Sequence, residues 1–372
     1  MQIKHINIDE TKNLSDQPAC GLGHACQFCP KDPDCTLDKS RHEKLLIEAR
    51  LASIDQIILV MANKGGVGKS TISANLAAGL AAQGYRVGVA DADIHGPNQS
   101  RFFGFVGSHI KVTQKGLATC NFQNPAIKQP IKVGSLAFLM ESDETPIVWR
   151  DSYKHDFMHH LIGSFNWEEL DYLIVDMPPG TGNELITLSD MLETANTSAI
   201  LVTSPQEIAL MDSLKALRFC QDRQMPILGV VENMSGITCP HCSGEFHLFP
   251  NGGLTEKLNA VGIKSLTQIP LDPHLASGSD EGLPDLLKRP TSAVAVAFAP
   301  VIDACIQHAS KHFAETAVES INEALESNLL SPELEASLEG MPSEEREAVR
   351  HALAQLLGAE QKRLATSSGE DK

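Results

Sequence analysis

The stretch Asn-Lys-Gly-Gly-Val-Gly-Lys-Ser-Thr, residues 63–71, constrains this chain more than any other. It follows an apolar run, QIILVMA at 56–62, and opens an alanine-rich run, KSTISANLAAGLAAQG, that ends at Gly84. A glycine-rich turn between a strand and a helix is the context of a phosphate-binding loop. Gly65, Gly66 and Gly68, with Val67 among them, let the backbone fold its N–H groups around phosphate oxygens. The helix N-terminus adds a favourable dipole. Lys69 is expected to reach the β- and γ-phosphates of ATP, the Ser70 hydroxyl to ligate Mg2+, and Thr71 to contact the α-phosphate.

The rest of the central region repeats the same β-α unit. Strands are expected at RVGVADAD (86–93), YLIVDMP (172–178), SAILVTS (198–204) and ILGVVEN (227–233). Helices are expected at LITLSDMLETA (185–195) and EIALMDSLKALRFCQD (207–222). Continuous apolar strands belong to a parallel sheet covered on both faces. Hydrophobic residues make up 42% of the chain and aromatics only 5%, so aliphatic side chains must fill the core. The expected fold is an α/β, three-layer P-loop domain with a mainly parallel sheet. Composition separates three regions: a Cys-rich segment at 1–50, the ATPase domain at 51–312, and a helix-forming tail at 313–372. The first region ends in a charged helical run, DKSRHEKLLIEARLASI. The tail carries 13 acidic and 5 basic residues, a net of −8, with Ser331 and Ser343 as candidate helix caps.

Carboxylates end two of the strands. Asp91 and Asp93 lie in VADADIHGPN, and Asp176 closes YLIVDMP before the tight loop Pro-Pro-Gly-Thr-Gly. Asp176 is the expected acid of the magnesium site. Asp93 is expected to order the attacking water and Asp91 to support it within the magnesium shell. The loop after Asp176 is placed to sense the γ-phosphate.

The nine cysteines fall into two kinds. Cys20, Cys26, Cys29 and Cys35 are spaced C-x5-C-x2-C-x5-C, and Cys239 and Cys242 form a second C-x2-C. The N-terminus lacks an apolar signal region, and no apolar run is expected to span a bilayer, so the chain reads as cytoplasmic with reduced thiols. The clustered cysteines are then metal ligands rather than disulfides. Thiolates at these spacings suit structural zinc and an iron–sulfur cluster alike. Cys26 and Cys29 could join Cys239 and Cys242 in one chain, or two copies of the Cys239 and Cys242 pair could meet across a dimer. Cys120, Cys220 and Cys305 lack partners at ligand spacing and read as packing residues. His155, His159 and His160 share a helical face without a carboxylate motif. The net charge of −17 disfavours nucleic acid and anionic membranes as partners.

The segments KGGVGKST, DADIHGPN, VDMPPGTG, TSPQEIALMD, VVENMSGITCPHC and IPLDPHLASGSDEGLP occur in that order over about residues 55–300. Together they resemble the Mrp/ApbC/Nbp family of iron–sulfur carrier ATPases, within the MinD/ParA-type deviant P-loop class. The resemblance implies a homodimer in which Lys64 reaches across to the partner's phosphates. It implies a 4Fe–4S cluster bridged by Cys239 and Cys242 of two subunits and passed to apo-proteins, with cluster assembly machinery as the donor. It places Asn233 against adenine, with Pro270 and Asp272 near the base. The N-terminal cysteines resemble the four-cysteine motif of the Nbp branch, which implies a second cluster, although the gap from Cys20 to Cys26 is shorter than in those relatives. Asn183 stands where the family usually has Asp. Two other functions share much of this pattern: an electron-transfer ATPase like nitrogenase iron protein, and a ParA/MinD-like positioning ATPase.

Overall fold

The computed structural model describes residues 23, 26, 34–139, 151–180, 182–239, 241–242, 244–247 and 254–326. Cys20, Cys29 and the expected caps Ser331 and Ser343 lie outside them. The chain divides into two compact units, 1–306 and 307–372.

The first unit begins with α1 (Lys39–Leu51), β1 (Ile54–Met61), α2 (Lys69–Ala82), β2 (Val87–Asp91) and the short α3 (Gln99–Phe102). A hairpin of β3 (Val112–Thr113) and β4 (Gly116–Leu117) leads to β5 (Cys120–Phe122) and β6 (Ile131–Ser135). Next, α4 (Asp151–His159) continues as a π-helical turn, His160–Ser164. After it come β7 (Leu170–Asp176), α5 (Asn183–Met191), β8 (Thr197–Thr203), α6 (Glu207–Asp222) and β9 (Ile227–Asn233). A second hairpin, β10 (Ile237–Thr238) and β11 (Glu245–Phe246), precedes α7 (Leu254–Ala260), β12 (Ser265–Ile269), α8 (Pro273–Asp280) and α9 (Asp285–Lys288). The last described helix is α10 (Ala293–Glu326), which runs without a break through position 312.

The main sheet has the order β12-β9-β8-β1-β7-β2-β6-β5. All its pairings are parallel except the edge pair β5 and β6. β1 lies between β7 and β8, and Ile57 to Met61 are essentially inaccessible to solvent. That is why this run carries apolar residues on both faces rather than on alternate positions. The expected strands are present, with ends displaced by one or two residues, and α6 coincides with the expected 207–222. The sequence reading did not anticipate β5, β6, β12 or the two hairpins. β5 and β12 are sheet edges and the hairpin strands have two residues each, whereas β6 lies inside the sheet but is a short run, IKVGS, interrupted by Lys132; the polar residues in SLTQI (β12) likewise hide it from an apolar-run search.

Close packing explains a glycine inside α2. A Cβ on Gly79 would lie 2.4 Å from Ile302 Cδ1 of α10, so a side chain there would push the two helices apart. In α10, Val294, Phe298, Val301, Ile302 and Cys305 are buried at helical spacing. The segment Ala293–His312 does have the length and mean hydropathy, 1.4, of a bilayer span, which corrects the expectation that no apolar run is long enough. Its buried stripe is that of a helix packed on a protein core, although Val296 is 67% exposed.

The helical run of the N-terminal region packs into this unit. Asp38 caps α1 by accepting from the Arg41 N–H at 3.1 Å. Leu45, Leu46, Ile47 and Leu51 are buried. Arg50, 3% exposed, then ties distant segments together. Its guanidinium donates to Gly163 O at 3.3 Å, Asn166 Oδ1 at 2.9 Å, Gly23 O at 2.9 Å and Lys115 O. Gly23 N–H in turn donates to Gln114 O at 2.8 Å. The backbone at Gly23 is thus fastened beside the N-terminal ends of β1 and β7. Replacing Arg50 by Met would orphan these acceptors, each worth about 1–3 kcal/mol when buried. Arg50→Met should lower stability by about 3 kcal/mol in denaturant unfolding. An unchanged midpoint would show that the guanidinium does not hold these segments.

Candidate functional site

The glycine-rich loop joins the end of β1 to the start of α2. Gly66 and Gly68 adopt left-handed φ values of 81° and 86°. A Cβ on Gly65 or Gly66 would meet nothing within 4 Å, so the loop presents an open side to an approaching phosphate. Gly68 is constrained from the other side: a Cβ there would strike Asn233 Nδ2 at 2.2 Å. Asn233, at the end of β9, donates from that nitrogen to Val67 O at 2.9 Å and so supports the loop. Lys64 Nζ donates to Gln206 Oε1 at 3.1 Å, just before α6.

Beneath the loop, Asp91 and Asp176 occupy paired positions of the adjacent strands β2 and β7, and both are fully buried. Asp176 Oδ1 receives Lys69 Nζ at 2.5 Å and Ser73 Oγ at 3.0 Å, and its Oδ2 receives Gln99 Nε2 at 2.8 Å. Asp91 Oδ2 accepts from Ser135 Oγ and Gln99 N–H, each at 3.0 Å. Burial, with Asp176 beside it, pushes the Asp91 carboxyl up to about 7, against the opposing pull of the Gln99 N–H, Lys69 and Ser135. Burial also raises Asp93, whose Oδ1 accepts from Gly96 N–H at 3.3 Å. Ser70, Asp91 and Asp176 together offer the oxygen donors that suit a hard cation such as magnesium. In this structure the ammonium of Lys69 is paired with Asp176, so contact with a phosphate would require it to leave that carboxylate. Ser73, Gln99, Ser135 and Gln206 escaped the sequence reading, because single polar residues carry no periodic or motif signal.

Farther from the loop, Asp272 caps α8 through His274 N–H at 2.8 Å and accepts from Arg289 Nη2 at 2.8 Å. Burial pushes its carboxyl upward, but the Arg289 contact and the cap hold it below the usual value. Pro270 follows β12 and precedes this cap.

Cys239 and Cys242 sit in the turn of the β10–β11 hairpin. Cys239 N–H donates to Gly244 O at 2.9 Å, and Cys242 is exposed. The backbone N–H groups of His241 and Cys242, then the Cys242 thiol, lower the Cys239 pKa, which favours its thiolate. The hairpin is anchored at its base. Leu271 N–H donates to Gly236 O at 2.7 Å, His247 Nδ1 lies 2.6 Å from Ser235 O, and Ser235 Oγ donates to Glu232 Oε1 at 2.5 Å. Between Asn233 and Ser235, Met234 takes a left-handed φ of 59°. The thiols therefore follow closely on the residue that supports the nucleotide loop.

Cys26 does not join this pair. Among the described residues, no three His, Cys, Asp or Glu side chains are gathered to hold an ion. Gly23, three residues from Cys26, is fastened at the N-terminal end of the sheet, whereas the hairpin extends from its C-terminal end. A seven-residue strand spans on the order of 23 Å between those ends. Cys120, Cys220 and Cys305 behave as packing residues, and Cys35 is half-buried just ahead of α1. Burial raises the Cys120 thiol to about 11 and the Cys220 thiol to about 12, and shifts Cys305 upward as well. His155 and His159 stack at 4.5 Å between ring centroids, outside any such gathering of ligands.

A family model described as a NUBPL iron-transfer P-loop NTPase, of the ParA type, matches residues 53–306. The chain belongs to this family. Among relatives of these iron-transfer NTPases, an iron-sulfur cluster carrier protein of Aquifex aeolicus is 39% identical over 258 residues, 69% of this chain and 68% of its own length. One from Saccharolobus solfataricus is 38% identical over 264 residues, 71% of this chain and 87% of its own. A nucleotide-binding protein from Archaeoglobus fulgidus, solved with ADP, is 35% identical with a TM-score of 0.56 and covers 64% of this chain and 91% of its own. The expected P-loop fold and family are thereby shown, and nucleotide binding belongs to the family itself.

The raised Asp91 pKa has a measurable sign. A carboxyl whose folded pKa exceeds its unfolded value holds more protons when folded, so its contribution to stability is present at low pH and lost as pH rises. Asp91→Asn should therefore gain stability relative to wild type as pH rises from 3.8 to about 7, then level off. Denaturant unfolding without nucleotide measures this, and parallel pH profiles for the two proteins would refute it.

Proposed function

We propose that this protein is an ATP-dependent iron–sulfur cluster carrier acting in the cytoplasm as a homodimer. Cys239 and Cys242 of two copies bind a 4Fe–4S cluster as cargo and deliver it to apo-proteins. The observation that carries this reading is the hairpin turn. It holds two thiols near the surface, with backbone N–H groups favouring the thiolate of Cys239, directly after the strand that supports the phosphate loop. Two thiols supply half of the ligands a cluster needs, so a second copy completes the set. The names of the relatives, iron-sulfur cluster carrier proteins, support the same cargo.

Within this proposal, the loop 65–71 holds ATP, with Lys69 moving from Asp176 to the β- and γ-phosphates. Ser70, Asp91 and Asp176 hold the accompanying magnesium, and Asp93 orders the attacking water. Asn233, Pro270 and Asp272 lie on the base side. Lys64, held by Gln206 in one chain, turns to the partner's phosphates when two copies close. Nucleotide state thereby sets the spacing of the two thiol pairs and so gates cluster loading and release. The N-terminal cysteines 20, 26, 29 and 35 hold a second cluster.

Iron and acid-labile sulfide on protein purified without oxygen test the cargo. Both clusters at full occupancy give about 6 iron per chain, the bridge alone about 2 and the N-terminal cluster alone about 4. Zinc without sulfide after attempted reconstitution would overturn the reading. Cys239→Ala should abolish transfer to an apo-ferredoxin while leaving ADP affinity unchanged, and retained transfer would remove the bridging role. Lys69→Ala should slow ATP hydrolysis by at least about 100-fold, and wild-type turnover would contradict the assigned phosphate contact.

A further inference from the structure

The magnesium side of the phosphate loop holds a residue that no motif assigns. Gln99, the first residue of α3, is fully buried and touches Ser70, Asp91 and Asp176. Its Nε2 donates to Ser70 O at 3.1 Å and to Asp176 Oδ2 at 2.8 Å. Its backbone N–H donates to Asp91 Oδ2 at 3.0 Å. These contacts orient the amide. Exchanging its nitrogen and oxygen would set oxygen against the Ser70 carbonyl and the Asp176 carboxylate, both acceptors. The remaining atom, Oε1, is buried without a hydrogen-bond partner. It lies within one amide width of the atom that contacts Ser70 and Asp176.

A buried amide oxygen is ordinarily satisfied, and unsatisfied atoms mark places where a donor binds. The donor that fits here is water. Magnesium dehydrates reluctantly and enters nucleotide sites with several waters, each carrying protons that need acceptors. Asp91 and Asp176 already accept from Ser135, Ser73, Lys69 and Gln99 itself. We propose that Gln99 is a positioning residue for the hydrated magnesium of the bound nucleotide, its Oε1 accepting a hydrogen bond from a water that the ion carries. Gln99 then favours magnesium nucleotide over free nucleotide and does not touch the phosphates. This rests on the reading of residues 65–71 as the nucleotide loop.

The test compares binding of a fluorescent ADP analogue in excess Mg2+ and in EDTA, for wild type and Gln99→Met. Met keeps the length of the side chain and removes the Oε1 acceptor together with the Nε2 donor to Ser70 O and Asp176. In EDTA the two proteins should bind alike. In Mg2+ the variant should bind roughly tenfold more weakly, the scale of one lost hydrogen bond to a polarised donor, and need more Mg2+ for half-maximal effect. Equal losses in both conditions would mark Gln99 as merely structural and overturn the proposal, as would an unchanged Mg2+ requirement. If Gln99→Met does not fold, Gln99→Asn makes the same comparison, because it keeps the amide but withdraws it by one methylene. Failure of wild type to bind the analogue in either condition would instead overturn the nucleotide reading itself.

Discussion

Two carboxylates placed side by side in the interior set the terms for everything around them. Asp91 and Asp176 share a register position on neighbouring strands, and neither reaches solvent. Like charges so placed repel, and their desolvation is costly. The surrounding residues answer that cost: the Lys69 ammonium, the hydroxyls of Ser73 and Ser135, and the amide of Gln99. The first turn of α2, the end of β6 and the short α3 are therefore drawn to one point at the carboxyl edge of the sheet. Ligands of open α/β sheets bind at that edge. The same arrangement that lets the fold tolerate buried acids gathers oxygen donors of the kind that suit a hard cation.

A second dependence runs through β9. Its last residue, Asn233, supports the phosphate loop through Val67 O, and the chain then turns at Met234 into the thiol hairpin. Glycine at 68 serves both sides of this contact. Its left-handed φ shapes the loop, and its missing Cβ leaves room for the Asn233 amide. The loop and the base of the hairpin are thus joined through Asn233 over a few covalent bonds, without a long chain of packed side chains between them.

Much of this was legible before any coordinates. The apolar runs gave the central strands because a sheet covered on both faces demands them, and the glycine pattern with Lys69 and Ser70 gave the loop. Asp91 and Asp176 stood out because each ends such a run. The edge strands were hidden by their polarity and brevity. Gln99 was hidden for a different reason: its importance lies in contacts to residues 29 and 77 positions away in sequence, which no local pattern records. Arg50 was likewise unremarked within a charged helical run, where an arginine ordinarily faces solvent.

The Arg50 clamp has a topological consequence. It fastens the backbone at Gly23, and with it the neighbourhood of Cys26, to one pole of the sheet, while Cys239 and Cys242 occupy the other. Within one molecule, the neighbourhood of Cys26 and the Cys239–Cys242 pair therefore lie toward opposite ends of the sheet. A small group held between the two hairpin thiols is thus beyond the reach of Cys26 in the same molecule.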